Sequence, residues 1–262
     1  MNSLNVAVAQ NPAALMTGPQ ERFNWLAETL NDEQLRGTDI LLLPELFLTG
    51  YNVGQKITDW AEPTNGTYAR KIADLCVKYD IAIHYGFAEC EGEKLYNAAN
   101  CFGKDGTKLG GHRKLLLPPG FEGDYFDAGA HCTPFALNDF SIGTLICYDA
   151  EFPENFRHVA KMGVDLVLVP TALASQWGVV AQKLIPTRAF ENGVYVCYAN
   201  QSGTENGLEY LGGSCIVGPD GGDLERAGAA PELLRATLHK DRVEAAQTRL
   251  PYHIDSQKLP WV

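Results

Sequence analysis

The chain has 262 residues, 45% of them hydrophobic, and a formal charge of −11 from 21 basic and 32 acidic side chains. That is enough apolar material for one full α/β core. The acidic balance argues against a general nucleic-acid or anionic-membrane binder, which would carry basic clusters.

NVAVAQ reads as a short strand. PQERFNWLAETLNDEQLR reads as an amphipathic helix with Phe23, Leu26, Ala27 and Leu30 on one face. DILLLPE is an unbroken apolar strand, of the kind covered on both sides. Thr64 or Asn65 can cap a helix through GTYARKIADLCVKYD. IAIHYGFAE, LYNAANCFG and TKLGGHRK follow as strands separated by Gly-rich breaks. SIGTLICYD is the next strand. Pro153 suits the first turn of a helix, PENFRHVAKMG, that closes at Gly163. VDLVLVP is a strand that mirrors DILLLP. Pro186 should kink or interrupt a helix through VAQKLIPTRAFENG. YVCYANQ, GGSCIVG and LRATLH complete the strands, with GPDGGD as a tight turn.

The match of ILLLPEL to LVLVPTA fits two related βα halves, or two buried strands that converged on one composition. Residues 1–262 are expected to form one domain with a sheet-rich core and helices outside it. The end, residues 251–262 (PYHIDSQKLPWV), looks irregular, and its Trp261 is expected to dock on the body or on a partner subunit.

Seven cysteines (Cys76, Cys90, Cys101, Cys132, Cys147, Cys197 and Cys215) occur in odd number and without a C-x-x-C pair. Several lie in apolar runs, where cysteine is a small hydrophobe, so a reducing, cytoplasmic setting without a disulfide framework is expected. The opening MNSLNVAVAQNP lacks the basic start of a signal peptide, and no run of eighteen apolar residues suggests a membrane span.

Three chemically different groups sit at the ends of strand-like runs: Glu45, Lys114 and Cys147. Cys147 stands at a strand-to-helix turn, where α/β sheets place their sites and where backbone N–H groups can face an oxyanion. Glu45 is either solvated beyond the strand or partly buried; the apolar LFLTGY that follows argues for burial, which raises a carboxylate's pKa and makes it a base toward a thiol. Arg113 and Lys114 point to opposite faces of a strand. An inward Lys114 needs a carboxylate, and Glu45 is the natural partner. His112 and His131 sit in no motif of their own. Neither G-x-S-x-G, a P-loop, GxGxxG nor H-x-x-x-H spacing occurs.

PELFLTGY, HRKLLLP and CYDAEFPE, in this order, resemble the nitrilase superfamily of carbon–nitrogen hydrolases. VAVAQN, RAFENGVYVCYANQ and GGSCIVGPDGG extend the resemblance from Asn5 to Leu238. It implies a four-layer α-β-β-α sandwich and a catalytic triad of Glu45, Lys114 and Cys147. It also implies a second glutamate, Glu122, that orients substrate, and an oxyanion donor in the backbone N–H of Tyr148. No metal or organic cofactor is implied. Subunits of the family pair into homodimers or higher homo-oligomers across the helix face next to the cysteine, using the C-terminal tail.

Within the superfamily, Tyr148–Asp149 after the cysteine looks more like the amidase and carbamoylase branches than the Trp-Glu pair of nitrilases. An ω-amidase-like DMRF run, whose arginine could meet a substrate carboxylate, is here DAEF, with Glu151 in that place. A carboxylate there repels an anionic substrate, which favours neutral or cationic amides, aliphatic or amino-acid amides among them. Alternatively Glu151 sits in a salt bridge with Arg157 or Arg188. Expected pocket walls are Tyr51, Phe121, Glu151, Thr171, Ala172 and Trp177. An ω-amidase, a nitrilase, an N-carbamoyl-amine hydrolase or a catalytically silent scaffold are the competing readings.

Overall fold

The computed structural model describes residues 2–15 and 17–260, so Trp261 lies outside the described residues. In chain order the first half comprises β1 (Ser3–Gln10), α1 (Pro19–Thr29), β2 (Ile40–Leu42), α2 (Lys56–Trp60), α3 (Thr67–Tyr79), β3 (Ala82–Glu91), β4 (Lys94–Phe102), β5 (Lys108–Arg113) and α4 (Phe121–Tyr125). The second half comprises β6 (Phe135–Leu137), β7 (Phe140–Thr144), α5 (Pro153–Lys161), β8 (Leu166–Pro170), α6 (Ile185–Asn192), β9 (Tyr195–Ala199) and the hairpin β10 (Ser202–Glu205)–β11 (Leu208–Leu211). It continues through β12 (Cys215–Val217), β13 (Asp223–Arg226), β14 (Glu232–His239), α7 (Lys240–Arg249) and α8 (Tyr252–Ser256).

Two six-stranded sheets run β14-β1-β2-β3-β4-β5 and β13-β12-β9-β8-β7-β6. Each centres on three parallel strands, β1–β2–β3 and β7–β8–β9, joined by helical crossovers and flanked by antiparallel neighbours. ILLLPEL and LVLVPTA therefore occupy the same place, the middle strand of the parallel trio, in two halves of matching topology. That favours the two-halves reading of the repeat.

The alternation of side chains along each strand builds the layers. Leu4, Val6, Val8, Ile40 and Leu42 meet Phe140, Ile142, Leu166, Leu168 and Tyr195 between the sheets. Their neighbours in sequence face outward: Ala7, Leu41, Leu43 and Ile83 onto Leu26 of α1 and Ile72 of α3, and Val167, Val169 and Val196 onto Phe156 of α5 and Ile185 of α6. Both faces of the central strands are buried, which is why their sequences are unbroken apolar runs. The result is the α-β-β-α sandwich.

Several boundaries differ from expectation. The first helix stops at Thr29, and Glu33–Leu35 form a separate 3₁₀ turn because Asn31 and Asp32 bond the backbone themselves. Asn31 donates to the Ala27 carbonyl at 2.9 Å, and Asp32 accepts from the Gln34 N–H at 2.8 Å. Neither Thr64 nor Asn65 caps α3. Its N-cap is Gly66, and the Glu62 carboxylate reaches the first-turn N–H groups of Tyr68 and Ala69, both at 3.0 Å. Pro186 falls in the first turn of α6, preceded by a π-helical turn at Val180–Leu184. The tail holds one helical turn, α8, which docks on α6. Tyr252 packs on Phe190 at 6.1 Å, and His253 bonds the Asn192 carbonyl at 3.1 Å.

Candidate active site

β2 ends at Leu42, and the chain turns through Pro44, Glu45 and Leu46, the last with φ +47. The turn lies so close to β3 that a Cβ on Gly86 would stand 2.4 Å from the Leu46 nitrogen and 2.6 Å from the Pro44 oxygen. Leu43, Glu45, Leu46, Phe47 and Leu48 are all fully buried, so the carboxylate is not solvated.

Alternation beyond β5 sends Arg113 outward and Lys114 inward. Arg113 pairs with Glu89 and Glu91 at 2.8 and 2.9 Å, its guanidinium 3.9 Å over the Tyr96 ring. Lys114 is fully buried. Its Nζ donates to Glu45 Oε1 at 2.7 Å and to both oxygens of Glu122 at 2.6 and 2.7 Å. Glu122, in the first turn of α4, also accepts from the Tyr51 hydroxyl at 2.8 Å. Asn97 of β4 donates to Glu45 Oε1 at 2.7 Å and to Glu122 Oε2 at 3.0 Å. Glu45 Oε2 has no hydrogen-bond partner among the described residues.

Burial raises the Glu45 carboxyl most; Lys114 works against it and Glu122 with it, leaving it pushed up to about 7. Burial acts to lower Lys114, but Glu45 and Glu122 outweigh it and hold the ammonium above the ordinary lysine range. The lysine is therefore a fixed cation, while Glu45 titrates near neutrality.

Cys147 lies three residues beyond β7, at the start of the 3₁₀ turn Cys147–Glu151, with φ +46. A left-handed conformation at a non-glycine residue marks a sharp turn. Cys147 is partly exposed as a residue between buried Ile146 and Asp149, while its thiol is buried within reach of Glu45, Lys114 and Thr171. The turn is held by Asp149. Its carboxylate accepts from the N–H groups of Ile146 (3.2 Å), Leu115 (3.0 Å) and Leu116 (2.9 Å) and bonds His112 Nε2 at 3.1 Å. One buried carboxylate thus ties the cysteine turn to the segment that follows Lys114. Burial raises the Cys147 thiol well above its usual value, Glu45 and Glu122 raise it further, and Lys114 and the Thr171 hydroxyl oppose them. The thiol is protonated at neutral pH and needs a base. The Tyr148 N–H, in the first turn, has no acceptor among the described residues.

Thr171 follows β8 as Glu45 follows β2; it is fully buried and accepts from the Tyr198 hydroxyl at 3.3 Å. Ala172 clusters with Ala13, Tyr210 and Tyr51. Tyr51 packs on Phe121 at 5.5 Å, and Phe121 on Tyr125 at 5.1 Å. Glu151 is half-buried and makes no ion pair with Arg157 or Arg188. Arg188 instead donates to the carbonyls of Ala150 (3.3 Å) and Glu151 (2.6 Å) and pairs with Glu191 at 3.0 Å, while Arg157 bonds His253 at 3.2 Å. Burial raises the Glu151 carboxyl, and Lys114 and Arg188 oppose that shift. Trp177 is 57% exposed in the turn Ser175–Trp177, outside the Tyr51–Phe121–Tyr125 ring cluster.

The structural roles of three elements of the site went unread in the sequence. Asn97 and Asp149 are two. The third is a buried pair, Arg22 with Glu205 of β10 at 2.6 Å; Glu205 also accepts from the N–H groups of Tyr51 (3.1 Å) and Asn52 (2.6 Å) and from the Tyr210 hydroxyl (2.6 Å). LYNAANCFG holds two asparagines, Asn97 and Asn100, in an otherwise strand-like run, a signal that marks the segment but does not single out Asn97. Among the described residues no group of three His, Cys, Asp or Glu side chains is arranged to hold a metal ion.

A buried lysine lies between two carboxylates, within electrostatic reach of a cysteine on a sharp turn at the end of a sheet strand. The carbon-nitrogen hydrolase family model matches residues 5–248, and the chain belongs to that family, in the amidase-like branch of the nitrilase superfamily. It is 37% identical over 245 residues to "Hydrolase in pqqF 5'region" of Pseudomonas protegens, covering 92% of this chain and 84% of that one. It is 32% identical over 223 residues to an (R)-stereoselective amidase of a Pseudomonas species, covering 85% and 81% of the two chains. The solved amidase of Nesterenkonia sp. superposes with a TM-score of 0.84 at 31% identity, covering 96% of each chain. Other structures of that amidase hold butyramide, or carry the acetamide moiety of fluoroacetamide on the active-site cysteine.

Proposed function

We propose that the protein hydrolyses a small neutral or cationic carboxamide, an aliphatic or amino-acid amide, to a carboxylic acid and ammonia through a thioester on Cys147. The observation that carries this reading is the division of labour at Glu45. Oε1 is held by Lys114 and Asn97, while Oε2 has no partner among the described residues and is available to take a proton.

Glu45 accepts the Cys147 proton as the thiolate attacks the amide carbon. Lys114 and the Tyr148 N–H hold the oxyanion, a donor of this kind contributing on the order of 10²–10³ in rate. Glu45 then protonates the leaving nitrogen, the C–N bond breaks and ammonia departs. Water gives a proton to Glu45 and attacks the thioester; the C–S bond breaks, and the thiolate recovers its proton from Glu45. Glu122 orients the substrate amide beside Lys114. Tyr51, Phe121, Thr171 and Ala172 wall the pocket, and the exposed Trp177 is left out of it. Glu151, free of any ion pair, sets the preference against anions. Support comes from the butyramide and fluoroacetamide structures of the Nesterenkonia amidase and from the (R)-stereoselective relative.

In this reading residues 1–262 act as one catalytic domain in the cytoplasm, with all seven cysteines free. Subunits pair across the helix face next to the cysteine, using the C-terminal tail, where Ile254 and Leu259 are exposed. No described helix is long and apolar enough to cross a membrane.

The test is ammonia release from a panel: a simple aliphatic amide, an amino-acid amide, an ω-amide of a dicarboxylic acid, a nitrile and an N-carbamoyl amino acid. Turnover of the first two alone is expected. Turnover of the ω-amide would mean that Glu151 faces away from substrate; turnover of only the last two would overturn the choice of amide. Cys147→Ala is expected to lose turnover and keep its circular dichroism spectrum.

A further inference from the structure

Asn97 lies on β4, opposite Ala88 of β3, and is almost fully buried. Its backbone carbonyl accepts the Lys114 N–H at 2.8 Å, so the strand that carries the amide also sets the height of the lysine. Both side-chain N–H donors of an amide are engaged, one on each carboxylate, at 2.7 and 3.0 Å. The orientation of the amide is dictated by chemistry: reversed, its oxygen would face two acceptors. Its Oδ1 has no partner among the described residues, so the side chain is held by these two bonds.

We infer that Asn97 is a positioning residue of the hydrolytic site, whose single amide occupies Glu45 Oε1 and Glu122 Oε2 together and so selects Glu45 Oε2 as the oxygen that takes the thiol proton. The inference rests on the reading of Glu45 as the base toward Cys147. The near alternatives in size or chemistry fit less well. Aspartate would bring a third carboxylate, serine offers one donor on a shorter arm, and glutamine is a carbon too long.

The same bonds favour the ionised form of Glu45, which burial alone would drive toward the neutral acid. The other titratable groups facing Glu45 are Lys114, Glu122, Cys147, Tyr51 and Tyr210. Lys114 stays cationic, and burial raises the Tyr51 and Tyr210 phenols well above their usual range, so both stay neutral. The reactive thiolate is a tautomer of the Glu45–Cys147 pair that has lost one proton, so its formation reports the titration of the pair.

The experiment is the rate of Cys147 alkylation by iodoacetamide, read by peptide mass spectrometry from about pH 5 to about pH 9. Wild type, Asn97→Leu (similar volume, no donor) and Asn97→Ser (one donor) are compared, each checked for a native circular dichroism spectrum. The wild type is expected to show an acid limb near neutrality. In Asn97→Leu the midpoint of that limb should rise by about one pH unit; because the thiolate forms with Glu45 protonated, the rate on the limb should stay within a few-fold of wild type while the plateau rises by up to about tenfold. Asn97→Ser should fall between them, and carries the test if the leucine variant does not fold. Equal slowing at every pH with the limb in place would reduce Asn97 to packing and overturn the inference while leaving Glu45 as base. A wild-type rate with no acid limb would overturn the base assignment and the inference with it.

Discussion

Asp149→Asn replaces one carboxylate oxygen by an NH₂ group at the point where the cysteine turn is tied to the lysine segment. In the wild type Oδ1 accepts from Leu115 and Leu116 at 3.0 and 2.9 Å, and Oδ2 from Ile146 at 3.2 Å and His112 at 3.1 Å. An asparagine can serve only one of these pairs with its oxygen. If it keeps Leu115 and Leu116, its NH₂ faces His112 and the Ile146 N–H. His112 can adapt by changing tautomer and accepting; the Ile146 N–H cannot, and it is buried. Losing a charge-assisted bond and orphaning one buried N–H costs about 2–4 kcal/mol. The loosened residue is the one before the nucleophile. A displacement of about 1 Å there lowers kcat by about 100-fold, with KM changing less. Urea denaturation and steady-state ammonia release measure the two effects. A folded variant within about 1 kcal/mol of wild type, with kcat unchanged, would refute the view that this carboxylate positions the turn.

Glu45, pushed up to about 7 by burial, must be unprotonated to accept the thiol proton, so kcat/KM should rise with pH through neutrality and then level; a profile flat from about pH 5 would exclude it as the base. Glu151→Gln should narrow the discrimination against an anionic ω-amide relative to a neutral amide, by about tenfold in the ratio of kcat/KM values, and an unchanged ratio would remove Glu151 from the specificity account. Arg22→Ala leaves Glu205 buried without its cation and should destabilise the protein by about 3–5 kcal/mol in chemical denaturation. If the pair also holds Tyr51 against Glu122, that variant, where folded, should lose kcat as well.

The apolar runs around Ile40–Leu42 and Leu166–Pro170 announced their strands because side-chain period and composition are local properties, readable within one segment. The same alternation placed Arg113 and Lys114 on opposite faces, and the structure decides that Lys114 is the inward one. The three candidate groups, a thiol, a carboxylate and a cation, could be picked out because each stands at the edge of such a run, and the fold brings Lys114 onto Glu45. Three other features were beyond the sequence: the Asn97 amide between two glutamates 52 and 25 residues away, the Asp149 link to Leu115 across 34 residues, and the Arg22–Glu205 pair across 183. None of these has a period or a neighbouring partner. A buried polar side chain is satisfied by whatever donors and acceptors the packed sheets bring to it, and only the tertiary structure decides those. The same holds for Glu151. Its sequence allowed a salt bridge with Arg188, but the fold turns that guanidinium to the carbonyls of Ala150 and Glu151 and to Glu191, and leaves the carboxylate free.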